Sequence, residues 1–207
     1  MKKFLIIGNM NAITYKEIFP LIKDNKMWLG FTAPKIFEVH LDKVEDEKKQ
    51  FEEGGKIFQK FGNILWYTNL VHSKRLDGIY CHARYTGRED KYPVYDNYDA
   101  IEIGHYTKNG KWEGSLDELP SDYDGVMGVP NTFLDQYNPE QFEILGMCEN
   151  LDLYGLKTKV YTTEECKDAY YAKFGKEGVY DLNASGVMIR NGKLEKVYQR
   201  ILIRRKK

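Results

Sequence analysis

Near its start the chain carries four consecutive large apolar residues, Phe4-Leu5-Ile6-Ile7, closed by Gly8-Asn9. A strand with one wet face alternates apolar and polar side chains. An unbroken apolar run therefore reads as a strand buried on both faces, the pattern of a parallel sheet covered by helices. A helix is expected from about Ala12 to Ile22, where Ile18, Leu21 and Ile22 recur at helical spacing. Pro20 should kink or end it, because proline lacks the N–H that the helix interior uses. Met27-Trp28-Leu29, stopped by Gly30, is a second short apolar run. Strand, helix and strand in this order make a βαβ unit and place the chain in the α/β class. A first strand of this kind needs a neighbour on each side, and later segments must supply them.

Residues from about Glu38 to Lys60 are densely charged, and the run Glu45-Asp46-Glu47-Lys48-Lys49 reads as a solvated loop or surface helix. Ile64-Leu65-Trp66-Tyr67-Thr68 is a strand by its β-branched and aromatic content. Loops and short strands are expected from His72 to Asn97, then a short strand at Ala100–Ile103. A small-residue strand runs from Gly125 to Val129 and turns at Pro130-Asn131-Thr132, bringing Phe133 and Leu134 inward. Asn138-Pro139-Glu140-Gln141 has the order of a helix start, with asparagine as N-cap and proline at the first helical position. Residues 163–174 should be helical, capped by Thr162 or Thr163, with Glu164 and Glu165 in the first turn. The chain closes on a hairpin: Gly186–Arg190, the Asn191-Gly192 turn, then Lys193–Arg204. Asn-Gly suits the tight turn because both residues tolerate a left-handed backbone.

A length of 207 residues suffices for one domain, or a domain with an appendage. The 31 basic and 31 acidic residues cancel, so overall charge argues neither for nor against nucleic acid, and only local clusters can. One cluster ends the chain at Arg204-Arg205-Lys206-Lys207. Another mixes cations and aromatics between Tyr67 and Tyr95: Lys74, Arg75, Arg84, Tyr85, Arg88, Lys91 and Tyr92. Such cations neutralise phosphates and such rings stack on bases, although an ordinary solvated face accounts for them equally well. The three cysteines, Cys81, Cys148 and Cys166, are widely spaced and odd in number, which fits a reducing compartment better than a disulfide framework. The apolar run after Met1-Lys2-Lys3 is too short for a signal peptide, and no stretch is long enough for a membrane span. A cytoplasmic location with no membrane partner is expected.

The four histidines, His40, His72, His82 and His105, form no pair at helical spacing and there is no Cys-x-x-Cys, so no metal site is expected. Neither glycine-loop pattern for phosphates occurs. Gly8-Asn9-Met10-Asn11 lies where a strand hands over to a helix, the place where open sheets bind ligands. Its asparagines either meet a ligand or cap the helix. Asp124–Pro130 is either a tight turn lining a cleft or a segment whose glycines permit close packing.

Four segments carry a resemblance: KKFLIIGNMNAITYKEIFPLIKDNKMWLG from Lys2, GNILWYTNL from Gly62, DYDGVMGVPNTFLDQYNPEQFEILG from Asp122 and RILIRRK from Arg200. Together they resemble the EcoRI-type adenine-specific DNA methyltransferase family, from end to end of the chain. The resemblance implies a partial Rossmann-like methyltransferase sheet with an appended mixed α+β DNA-recognition region. Residues 1–70 would be the distal part of the sheet. Residues 71–207 would hold the remaining strands and the recognition region, ending in the hairpin and basic tail. The implied chemistry is methyl transfer from S-adenosylmethionine to the exocyclic amine of an adenine flipped out of duplex DNA.

The resemblance also implies a gap. Family members carry a cofactor-binding glycine motif and a catalytic Asn-Pro-Pro-Phe motif ahead of the Leu5–Asn9 strand. Asn138-Pro139-Glu140 lacks the second proline and the aromatic residue. In the full motif the asparagine and prolyl carbonyl accept hydrogen bonds from the adenine amine, and the ring stacks on the base. Without them, no methyl transfer and no cofactor binding are expected from this chain alone, and no residue is assigned as catalytic. The chain would then be a fragment, a split-gene subunit completed by an upstream partner chain that supplies the missing motifs, or a truncated descendant with another use.

On this reading the DNA-facing candidates are Asn9, Asn11, Thr68, Asn69, Lys74, Arg75, Arg204 and Arg205. Two rivals remain. One is a non-enzymatic DNA-binding or regulatory protein of the same descent. The other is an unrelated small-molecule enzyme built on the Gly8-Asn9 turn. One structural consequence separates the leading reading from the first rival: an incomplete sheet exposes the edge and apolar face of its first strand, whereas a self-sufficient protein covers them.

Overall fold

In a computed structural model of the chain, residues 2–33, 35–40, 50–106, 112–113, 116–149, 151–177, 186–197 and 199–207 are described. The architecture is mixed α/β, with several small sheets and few helices, in two compact units, Met1–Leu76 and Asp77–Lys207.

In the first unit, β1 (Leu5–Asn9) enters a 3-10 turn (Met10–Thr14), followed by α1 (Phe19–Lys23) and β2 (Trp28–Leu29). The long helix expected over 12–22 is therefore a 3-10 turn and a single short helix. Pro20 starts α1 rather than ending it, because in the first turn its missing N–H has no partner to lose. β3 (Ile36–Glu38), β4 (Gln50–Glu53) and β5 (Lys56–Lys60) form a separate sheet in the order β3-β5-β4. The run 45–49 lies outside the described residues. Residues 50–60 of that charged stretch form the β4–β5 hairpin, whose Gly54-Gly55 turn takes φ of 60° and 74°, a left-handed backbone open to glycine. β6 (Ile64–Thr68) then inserts between β1 and β2, antiparallel to both, and α2 (Ser73–Leu76) closes the unit. β1 and β2 point the same way but do not pair, so the expected βαβ unit is split by a third strand.

The core of this unit gathers Ile13, Phe19, Ile22, Met27, Leu29, Leu65 and Tyr67. β1 does not join it. Leu5, Ile6 and Ile7 are 54%, 55% and 43% exposed, which overturns the expectation of a strand buried on both faces. β1 is the outer strand of its sheet, and among the described residues only β6 pairs with it.

The second unit contains β7 (Ala100–Glu102), the small pair β8 (His105–Tyr106) and β9 (Trp112–Glu113), β10 (Val126–Val129), β11 (Phe142–Met147), α3 (Thr163–Phe174), the hairpin strands β12 (Val187–Arg190) and β13 (Lys193–Lys196), and β14 (Ile201–Arg205). Its main sheet has the order β11-β14-β10-β7, with β7 and β10 parallel and the other pairs antiparallel. The closing hairpin is shorter than expected, because Ile201–Arg205 leaves it to become an inner strand of this sheet. Ile201, Leu202 and Ile203 are all buried, as a strand covered on both faces requires. The helix expected at Asn138-Pro139 is one turn, in which the Asn138 side chain accepts from the Glu140 N–H at 2.8 Å. The alternation that buries Phe142 and Ile144 then draws the chain into β11. α3 begins as expected. Thr162 accepts from the Glu165 N–H at 3.3 Å, and the Glu165 carboxylate accepts from the Thr162 N–H at 2.8 Å.

The β12–β13 hairpin is an inner layer. Val187 packs with Tyr161 and Cys166 on the α3 side, while Met188 joins Tyr95, Tyr98, Cys148 and Leu202 on the sheet side. The Val187 N–H donates to the Asn97 side chain at 2.8 Å, and the Asp96 N–H donates to the Val187 carbonyl at 2.7 Å. Beside this layer Arg200 and Glu102 form an ion pair at 2.9 Å with side chains 3% and 1% exposed. Gly128 is in register with both Glu102 and Leu202, and a Cβ there would run into the Tyr95 hydroxyl.

Removing one member of a buried ion pair strands the other charge. Arg200→Ala is expected to cost about 3–5 kcal/mol in urea unfolding, and the double change E102L/R200L is expected to cost less than that single one. Burial pushes the Tyr67 hydroxyl and the Cys148 thiol each up to about 12. Because folding favours their protonated forms, the stability they confer is complete below the ordinary thiol value of 9.0 and is lost as pH rises towards 12. Denaturant midpoints should therefore hold steady from neutral pH to about 9 and fall above it, less steeply in Tyr67→Phe.

Candidate functional site

Antiparallel pairing decides where the strand-end polar groups lie. Asn9 is in register with Ile64, and Leu5 with Thr68. Asn9 and Asn11 therefore sit at one end of the β1–β6 pair and Thr68 and Asn69 at the other, about 13 Å away at the usual rise per residue.

Most of these groups serve the fold. The Asn9 side chain accepts from the Asn11 N–H at 2.8 Å, and the Tyr67 hydroxyl donates to the Asn9 carbonyl at 2.8 Å. The Thr68 hydroxyl donates to the Phe4 carbonyl at 2.7 Å and accepts from the Leu70 N–H at 3.0 Å. Asn69 accepts from the Phe4 N–H at 2.9 Å and donates to the Lys2 carbonyl at 2.8 Å. Thr68 and Asn69 thus hold the segment that leads into β1. Arg75 is buried: it donates to Asn25 at 2.7 Å and lies 4.1 Å over the Trp28 ring. Arg204 pairs with Glu143 at 2.7 Å on the surface. Arg205 donates to the Pro120 carbonyl at 3.0 Å and covers the Phe142 ring at 5.0 Å. Among the described residues, Asn11 and Lys74 have side-chain polar groups without a hydrogen bond, and the Lys74 ammonium lies 5.2 Å over Phe31.

S-adenosylmethionine needs free backbone donors at a glycine turn and, by analogy with dinucleotide sites, an acid for its ribose. The turn after β1 offers neither, since its Met10 and Asn11 amides donate to the Asn63 carbonyl and the Asn9 side chain and its first turn has no acidic residue. The cofactor does not fit there.

Two clefts of similar size are among those in the second unit. One, of about 610 Å³, lies at the carboxyl end of β10. There Pro130, Thr132 and Gln136 face Asp117 and the Tyr80–His82 ring pair, whose centroids are 4.1 Å apart. Within Asp124–Pro130 the strand is Val126–Val129, the segment's glycines leave room for the Tyr123 and Tyr95 rings, and Pro130 just beyond the strand lines the cleft. The other cleft, of about 600 Å³, is lined by Arg88, Lys91, Val94, Glu118, Ile189 and Arg190 among others. Sequence reasoning placed Arg88 and Lys91 in a basic aromatic stretch but passed over Arg190, which reaches them only because the hairpin folds back. The available signal was Arg190-Asn191-Gly192-Lys193, two cations flanking a tight turn. Among the described residues no three metal-ligating side chains converge, and no helix is long and apolar enough to cross a membrane.

The family model described as adenine-specific methyltransferase EcoRI matches residues 1–206. Type II methyltransferase M.EcoRI of Escherichia coli is 42% identical over 160 residues, which is 73% of this chain and 44% of that protein. Type II methyltransferase M.MpnI of Mycoplasma pneumoniae is 35% identical over 179 residues, 83% of this chain and 53% of that protein. Type II methyltransferase M.MgeORF184P of Mycoplasma genitalium is 36% identical over 167 residues, with shares of 77% and 50%. The chain spans about half the length of these relatives. No solved structure matches it. With the family model covering almost the whole chain, this protein belongs to the EcoRI-type adenine-specific methyltransferase family.

Proposed function

We propose that this chain is the DNA-recognition part of an adenine-specific DNA methyltransferase, and that it transfers no methyl group until a cofactor-binding part covers β1. The observation that carries the reading is β1 itself. Three large apolar side chains are about half exposed on a strand whose second edge is unpaired among the described residues, which is a template for another strand. Under this reading, strands of the cofactor-binding part pair with β1 and complete a Rossmann-like sheet. That part brings the glycine motif for S-adenosylmethionine and the Asn-Pro-Pro-Phe motif, either from the same polypeptide or from a separate upstream chain. S-adenosylmethionine would supply an electrophilic methyl group for the adenine amine. Residues 1–70 contribute the distal part of the sheet, and residues 71–207 its remaining strands and the recognition region. The chain's own task is to hold duplex DNA in register so that one adenine can be flipped towards the missing motif.

The role fits a restriction–modification enzyme working in the cytoplasm. A stand-alone DNA-binding or regulatory descendant would have no use for an exposed apolar edge, so β1 weighs against that rival. The small-molecule enzyme loses its ground because the Gly8-Asn9 turn uses its polar groups internally.

The test is transfer of a labelled methyl group from S-adenosylmethionine to adenine in mixed-sequence duplex DNA. No transfer is expected from the chain alone. Transfer is expected on mixing with a separately made cofactor-binding segment of the Escherichia coli relative. Ile6→Lys puts a charge on the open strand at an exposed position, where about 0.5 kcal/mol or less of stability is at stake. It should reduce self-association and abolish the gain on mixing. Transfer by the chain alone would sink the proposal, since other residues would then have replaced the missing motif.

A further inference from the structure

We infer that the cleft between the Arg88–Val94 segment and the β12–β13 hairpin grips the phosphate backbone of duplex DNA, an inference that rests on the DNA-binding reading above. Three observations converge on it. The turn residues Asn191 and Gly192 take φ of 53° and 71°, which sets Arg190 directly opposite Lys193. Like charges facing each other across a hairpin destabilise it, and within the hairpin Glu195 answers Arg190.

The second observation concerns Glu195. Its carboxylate holds Arg190 at 3.4 Å and Lys173 at 3.0 Å. One carboxylate thus serves two cations, and Lys193 stands beside them, which leaves the hairpin tip positive while Glu195 fixes the direction of Arg190. The third lies across the cleft, where Arg88 and Lys91 are exposed and make no ion pair among the described residues. Asp90 and Glu118 also line the wall, so the lining cations Arg88, Lys91 and Arg190 exceed the acids.

Pro93, Val94 and Ile189 give the same lining an apolar part. The cleft is open and, at about 600 Å³, far larger than one phosphate, which suits a continuous backbone. Contacts of this kind fix position and orientation without reading bases. The cleft would seat the duplex and leave sequence discrimination to other groups.

The experiment measures affinity of the full chain for a mixed-sequence duplex between about 50 and 200 mM salt, a range over which phosphate contacts dominate the response. The test variant is R88A/K91A/R190A. The control, K16A/K26A/K56A, removes the same charge from the first unit. The test variant should bind at least about tenfold more weakly near 0.1 M and lose about two to three units of the log–log salt slope, at roughly 0.9 per phosphate released. The control should change neither. R88K/R190K should keep the slope, because an ammonium still neutralises a phosphate, and thermal melting checks that all variants fold. Should the triple variant melt early, Lys91→Ala, exposed and unpaired, must still lose about one unit of slope. A steep slope in the unaltered chain that survives in every cleft variant overturns this inference and leaves the DNA reading standing. Salt-insensitive or absent binding by the unaltered chain overturns both.

Discussion

The second unit depends on one buried ion pair. Arg200 and Glu102 meet at 2.9 Å, almost fully out of water. An arrangement of this kind repays its desolvation only when the geometry is held. Glu102 ends β7 and Arg200 stands at the entrance to β14, with β10 between the two strands. The pair therefore fixes where β14 enters the sheet, and with it the register that aligns Gly128 with Leu202. Gly128 in turn leaves room for Tyr95, which belongs to the cluster on which Met188 of the hairpin rests. The cleft at Arg190 is downstream of this chain of contacts. A salt bridge far from the surface thus positions the cations that face it.

The first unit has the opposite character at its edge. β1 is held by five residue pairs to β6 and by the Thr68 and Asn69 side chains at its start, yet it leaves three apolar side chains in water. Fully burying such a side chain is worth about 1.5–3 kcal/mol. Covering the exposed part of three therefore gives a partner segment several kcal/mol to gain. A strand this well registered on one edge is a formed docking surface with little ordering left to do when a partner arrives.

Under the proposed function the two features divide the labour that adenine methylation requires. Phosphate contacts position a duplex without regard to sequence, while the chemistry needs acceptors for the adenine amine and a bound methyl donor. This chain holds a basic cleft and an open sheet edge. Under the same reading the acceptors and the cofactor site lie in the cofactor-binding part.

Local patterns were legible in the sequence wherever neighbours along the chain decide the outcome. The capping box at Thr162 and Glu165, the Asn191-Gly192 turn and the Ile64–Thr68 strand each need only a few adjacent residues. The apolar runs behave differently. Phe4–Ile7 and Ile201–Ile203 both announce a strand that prefers burial, but only the second is buried. A run states a preference for apolar neighbours and says nothing about which segments are present to provide them. The same limit governs charge. Arg75 and Arg88 are indistinguishable as letters, yet Trp28 and Asn25 absorb the first while the second faces an open cleft. The sequence by itself determined the family and most of the local elements, because these rest on residue identity and short spacing. Which strand lies inside, which cations stay available and how Arg190 comes to face Arg88 were decided by tertiary structure alone, because each depends on partners far away along the chain.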